Sequence, residues 1–181
     1  MGHFEALAKA VKIRMLVMDV DGVLTNGDVS YTSSGEEIKT FNIKDGYGIV
    51  NAEKNGIVTV IITGRSSIAV AQRAKELNIS HVYQGVGDKL AVLKQLCEQL
   101  SISLDHVAYV GDDIPDLTVL QNVGLACCPR DAVDEILAVC DDISSRDGGR
   151  GAVREIVDMI LQAKVRDKTS EPLISRQTVK D

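Results

Sequence analysis

The sequence predicts an α/β protein built on a doubly wound, Rossmann-like parallel sheet. Three observations lead there. Five short apolar runs rich in branched residues recur along the chain, amphipathic helix-length segments separate them, and polar clusters stand at the C-terminal ends of the runs. Strands joined by helices of that length pair in parallel through right-handed crossovers. Open parallel sheets gather their ligands outside the carboxyl ends of the strands.

The first run, MLVMDV at 15–20, is apolar enough for a strand covered on both faces. Residues 28–41, DVSYTSSGEEIKTF, alternate around an SSG turn and predict an inserted β-hairpin. VTVIIT (58–63), HVYQ (81–84), VAYV (107–110) and GLACC (124–128) repeat the strand type. Helices are expected at about 46–55, 66–77, 88–100, 113–121, 131–138 and 151–163. In SSIAVAQRAKEL, Ile68, Ala71 and Leu77 form the expected apolar face. Residues 1–163 are read as one domain with the hairpin inserted at about 28–41. Residues 164–181 lose helical periodicity, gain charge and contain Pro172, and are read as a tail.

Composition narrows the function classes. A chain of 181 residues with 45% hydrophobic content can bury a core. No apolar run approaches the roughly 20 residues a membrane helix needs. The opening MGHFEALAKAVKIR has alternating charges and no long apolar stretch, so no secretory signal is read there and a cytoplasmic protein is expected. A net charge of −6 and 3% aromatic residues disfavour nucleic-acid binding. Cys97, Cys127, Cys128 and Cys140 read as small buried residues of a reducing compartment. Cys127 and Cys128, adjacent on a strand, point to opposite faces and make a poor metal pair.

The polar clusters carry the chemistry. Asp19 and Asp21 close the first strand, Thr63-Gly64-Arg65 the next, Lys89 opens the helix after the third, and GDDIPD (111–116) follows the fourth. Each has an ordinary reading alone: a fragment of a calcium loop, a turn with an Asp cap, a flexible strand end, a solvated lysine. Their joint placement at strand ends favours one crevice. Carboxylates crowded together resist joint ionisation unless a cation neutralises them. Oxygen ligands from Asp19, Asp112 and a backbone carbonyl near Asp21 suit Mg²⁺. So screened, Asp19 can attack phosphorus, while Lys89 and the Thr63 hydroxyl hold phosphoryl oxygens. Asp21 can protonate the leaving oxygen and later deprotonate water.

In order, DVDGVLT, IITGR, Lys89 and GDDIPD resemble the four motifs of the haloacid dehalogenase superfamily of phosphatases, across roughly residues 15–130. The resemblance implies a haloacid dehalogenase fold with Asp19 as nucleophile and Asp21 as general acid/base. It implies Thr63 and Lys89 as phosphate holders and Asp19, Asp21 and Asp112 as the Mg²⁺ set. Gly64, Arg65 and Asp116 fall on the substrate side, with Asp116 orienting Lys89 or the metal shell and Asp113 unassigned. Hairpin, helix and strand consume the residues between Asp21 and Thr63, and further helices and strands those between Thr63 and Asp112. No room remains for the cap domain most members carry.

A closer likeness lies in NGDVSYTSSGEEIKTFNIKDGYGI, GIVTVIITGRSS, VYQGVGDKL and GGRGAVREIVDMIL, within roughly residues 13–163. These resemble the family of 3-deoxy-D-manno-octulosonate 8-phosphate phosphatases. That resemblance implies a Mg²⁺-dependent phosphomonoester hydrolase, working through an aspartyl-phosphate in lipopolysaccharide precursor biosynthesis. It also implies a capless homotetramer whose hairpins meet in a central barrel. Arg65 is expected to grip the carboxylate of the sugar acid through its planar fork. The related nonulosonate 9-phosphate phosphatases tend to carry an acidic residue there. Lys164, Arg166, Lys168 and Arg176 are candidates to help from the tail. The competing functions are a phosphatase for another sugar-acid phosphate, a non-catalytic oligomerising module of the same fold, and a phospho-accepting receiver.

Overall fold

Four residues without exposed surface, Met15–Met18, form β1 at the heart of the sheet. In the computed structural model, which describes residues 3–170, the chain continues through β2 (Ser30–Tyr31), β3 (Glu37–Ile38), α2 (Ile43–Lys54), β4 (Val58–Ile62) and α3 (Ile68–Glu76), with α1 (His3–Ala10) preceding β1. Then follow β5 (His81–Tyr83), α4 (Lys89–Leu100), β6 (Val107–Val110), α5 (Ile114–Leu120), β7 (Leu125–Cys128), α6 (Asp134–Leu137), β8 (Asp142–Ile143) and α7 (Ala152–Ser170). The main sheet runs β5-β4-β1-β6-β7-β8, all parallel, with Met18 in register with Ile61 on one side and Val110 on the other.

Side chains leave β1 alternately. Leu16 and Met18 join the core layer beneath α1, α2, α3 and α7, whereas Met15 and Val17 join the layer beneath α4, α5 and α6. Cys127 and Cys128 divide between the two layers in the same way, and all four cysteines are free thiols. α7 is docked from outside its own helix: the buried Asp45 of α2 accepts from the Gly151 and Arg154 amides at 3.1 and 2.9 Å.

Several expectations need correction. The apolar face of α3 is Val70, Ala74 and Leu77; Ile68 is 88% exposed and Ala71 also faces solvent. α2 starts at Ile43, because Asn42 caps it by accepting from the Lys44 amide at 2.8 Å. α6 is a single turn, and a sixth parallel strand, β8, closes the far edge. The boundary expected after residue 163 falls inside α7, which continues to Ser170. Lys164 is committed to that packing, donating to the Val11 carbonyl at 2.8 Å. Residues beyond Ser170, Arg176 among them, lie outside the described residues.

The inserted hairpin forms as a separate two-stranded antiparallel ladder, with Ser30 opposite Ile38 and Tyr31 opposite Glu37. Its turn closes through the Gly35 amide on the Thr32 carbonyl at 3.0 Å, with Gly35 at φ +85°.

Candidate active site

β1 runs straight into the site. Asp19 follows its last residue, and the Asp19 amide donates to the Val110 carbonyl at 3.0 Å, extending the β1–β6 ladder by one residue. The next turn wraps sharply, with the Val23, Leu24 and Thr25 amides all donating to the Val20 carbonyl. Gly22 within it has φ +85°, and a Cβ there would overlap the Asp112 carboxylate. A glycine is required for two reasons at once, backbone conformation and the close approach of the fourth motif. The glycines of 148–151 brace this turn from behind, the Gly149 amide donating to the Val23 carbonyl at 2.9 Å.

The strand-end clusters meet in a crevice of about 520 Å³ lined by Asp19, Asp21, Thr63, Arg65, Lys89 and Asp112 among others. A larger cavity, about 670 Å³ along α7, contains none of the strand-end cluster residues. Lys89, at the first position of α4, is buried with Nζ 2.9 Å from Asp19 Oδ2 and 2.7 Å from Asp116 Oδ1. Asp116 has no exposed surface: Oδ1 also accepts from the Tyr109 hydroxyl at 2.6 Å, and Oδ2 from the Asp112 amide at 3.1 Å. Both its oxygens are therefore engaged by protein groups, and its place is behind Lys89. Thr63 is buried at the end of β4, its amide donating to the Tyr83 carbonyl at 3.0 Å. Asp113 turns outward and caps α5.

The electrostatics are strained in one direction. Burial pushes the Asp112 carboxyl up to about 8, with the neighbouring Asp116 and Asp19 charges adding to the effect. Asp19 is raised by burial and by Asp116, with Lys89 pulling the other way. Burial opposes the Lys89 ammonium, but Asp19 and Asp116 outweigh it and its pKa is raised. Two buried oxygens, Asp19 Oδ1 and Asp112 Oδ1, have no hydrogen-bond partner. Oxygen atoms of Asp19, Asp112 and Asp116 approach one another within 4.8 Å, as a cation site requires. Because Asp116 is already engaged, the two orphaned oxygens of Asp19 and Asp112 are what a cation would complete. An all-oxygen, anionic set of this kind fits Mg²⁺. The Asp21 carboxylate stands apart from this set.

Sequence reasoning missed the hairpin's contribution. Lys39, its side chain 3% exposed, forms an ion pair with Asp21 Oδ1. Glu37 Oε1 accepts from Arg65 Nη2 at 2.6 Å and lies 3.6 Å from Lys39 Nζ, while Arg65 Nε is 3.8 Å from Asp21 Oδ2. The hairpin thus lays two charged side chains along the rim. Tyr109 was also missed, since a tyrosine in VAYV carries no sign of function until Asp116 packs beneath it.

A buried lysine between two aspartates, beside two orphaned carboxylate oxygens that suit a cation, fits the site of a phosphoryl-transferring hydrolase. Residues 81–156 match the haloacid dehalogenase-like hydrolase family. The 3-deoxy-D-manno-octulosonate 8-phosphate phosphatase KdsC of Escherichia coli K12 is 44% identical over 88% of this chain and 85% of its own. A crystal structure of the Moraxella catarrhalis 3-deoxy-D-manno-octulosonate 8-phosphate phosphatase, in complex with magnesium, phosphate and KDO, superposes with TM-score 0.89 at 43% identity, covering 93% of this chain and 97% of that one. The cobalt-bound Haemophilus influenzae phosphatase YrbI superposes with TM-score 0.84 at 34% identity, over 91% and 96% of the two chains. The chain belongs to the KdsC family of haloacid dehalogenase-like phosphatases.

Proposed function

We propose that the protein hydrolyses 3-deoxy-D-manno-octulosonate 8-phosphate to KDO and inorganic phosphate, a step in lipopolysaccharide precursor biosynthesis. The observation that carries this reading is the buried triad of Asp19, Lys89 and Asp116 beside the unpartnered Asp19 and Asp112 oxygens, with Arg65 at the rim. Mg²⁺ suits the cation site, where Asp19, Asp112 and the Asp21 backbone carbonyl would hold it. When bound, it supplies positive charge that screens the attacking carboxylate and the phosphoryl oxygens.

The chain's own residues do the rest. An Asp19 oxygen attacks phosphorus in line, forming an aspartyl-phosphate as the sugar oxygen leaves. Asp21 passes to that oxygen the proton that the monoanionic phosphate ester brings in. Lys89, fixed by Asp116, and the Thr63 hydroxyl hold the phosphoryl oxygens through the transfer. Asp21 then accepts a proton from water, which attacks phosphorus and returns Asp19 free. Gly64 lets the phosphate approach the chain closely, and Arg65 takes the sugar-acid carboxylate.

Two finer points belong to this reading. The protein works as a homotetramer, supported by Val29, Tyr31 and Ile38 of the hairpin, which are 48, 60 and 50% exposed. It works in the cytoplasm, supported by four free thiols. No described helix is long and apolar enough to cross a membrane.

The test is phosphate release with Mg²⁺ across KDO 8-phosphate, nonulosonate 9-phosphates and p-nitrophenyl phosphate, with EDTA as control. Preference for KDO 8-phosphate that EDTA removes is expected; a preference for the nine-carbon substrates would overturn the substrate assignment.

A further inference from the structure

Arg65 is not free in the resting site. Its side chain is 47% exposed at the crevice wall, Nη2 donates to Glu37 at 2.6 Å, and Nε lies 3.8 Å from Asp21. Lys39 stands behind both acids, paired with Asp21 and 3.6 Å from Glu37. The rim therefore balances two cations against two carboxylates. A ligand carboxylate arriving at Arg65 would be a third negative group on that wall.

We propose that Glu37 is a specificity-determining residue whose carboxylate occupies Arg65 until the carboxylate of a sugar-acid ligand displaces it. The inference rests on the sugar-acid reading of the crevice. The four rim groups are not equally movable. Asp21 belongs to the tight turn after β1 and holds the buried Lys39. Glu37 sits on a strand of two residues at the edge of the hairpin, held there by side-chain contacts to Arg65 and Ser67. It also has somewhere to go, since a small rotation brings it onto Lys39. A plain phosphate ester gains nothing from this exchange. A ligand that brings its own carboxylate replaces one ion pair at Arg65 with another, and Lys39 receives the displaced acid.

Removing the Glu37 charge leaves the rim with an excess positive charge and frees the Nη2 arm of Arg65, which keeps its Tyr31 contact. Glu37→Gln keeps the shape of the side chain. Calorimetric titration with KDO and, separately, with inorganic phosphate, in the presence of Mg²⁺, reads the effect without any turnover. The ratio of the KDO Kd to the phosphate Kd is expected to fall roughly two- to five-fold in Glu37→Gln, the scale of a partly exposed ion pair. In an Arg65→Ala background the same substitution should leave that ratio where it was. An unchanged or higher ratio in the single variant, or an effect that survives in the Arg65→Ala background, overturns the proposal. Wild-type turnover of KDO 8-phosphate is measured alongside. Its absence, with KDO still binding more tightly to Glu37→Gln, would reject the substrate assignment and leave the role of Glu37 standing.

Discussion

Replacing Asp116 by alanine removes the support under the whole site. Its carboxylate has no exposed surface and accepts from Lys89 at 2.7 Å, from the Tyr109 hydroxyl at 2.6 Å and from the Asp112 amide at 3.1 Å. Breaking a buried ion pair by removing one partner typically costs about 3–5 kcal/mol. Two circumstances hold this case to the lower end. Lys89 keeps Asp19 at 2.9 Å, so the ammonium is not abandoned. Loss of the Asp116 charge also relieves the repulsion that helps raise both Asp19 and Asp112. The expected loss is therefore about 3 kcal/mol, with Tyr109→Phe costing about 1 kcal/mol on its own. Urea unfolding of wild type, Asp116→Ala and Tyr109→Phe at neutral pH, without Mg²⁺, measures both. kcat on p-nitrophenyl phosphate should fall at least about a hundred-fold in Asp116→Ala, because Lys89 loses its fixed position. Stability within about 1 kcal/mol of wild type, together with a kcat within a few-fold, would refute the argument that Asp116 organises Lys89.

Three further outcomes follow from the same geometry. The folded protein keeps a proton on Asp112 up to about pH 8, whereas the unfolded chain loses it near 3.8; without metal, stability should fall as pH climbs through that window. Mg²⁺ replaces the proton, so the thermal shift it produces should be larger at about pH 8.5 than at about pH 6, and a shift that shrinks with pH would contradict the assignment of Asp112 as a ligand. Arg65→Ala should raise KM for KDO 8-phosphate by about ten- to thirty-fold, and far less for p-nitrophenyl phosphate; equal losses on both would place Arg65 with the phosphate or the fold. Gly22→Ala, at φ +85° against the Asp112 carboxylate, should cost about 1–2 kcal/mol in backbone strain and most of the Mg²⁺-dependent activity, and full activity would refute the close packing of the two loops.

The central strands and the catalytic clusters were legible because each is local. MLVMDV, VTVIIT and VAYV are predominantly apolar, and such runs with polar residues at the carboxyl end point to a parallel sheet and its crevice. What escaped was non-local or too small to leave a pattern. β8 is two residues that exist as a strand only because β7 lies beside them. α7 continues past residue 163 on the helix propensity of Lys and Arg rather than on apolar periodicity, so the pattern stops before the helix does. Ile68 and Ala71 failed as core residues because the face of α3 is set by where the helix docks, through Val70 and Ala74. Lys39 and Glu37 could not be read at all as rim residues. Their alternation in EEIKTF predicts a strand, and only the fold brings that strand over Asp21 and Arg65.

Asp19 is attached to β1, one of the two central strands of six, and its own amide is tied to Val110 on the other. Water has to melt the centre of the sheet before it can loosen the backbone beneath Asp19. The hairpin, by contrast, is a two-residue ladder with no such anchorage. On the proposed roles, the two therefore fail in different ways under stress: discrimination among substrates can erode while the Asp19 crevice is intact, but the Asp19 carboxylate is lost only when the molecule itself comes apart.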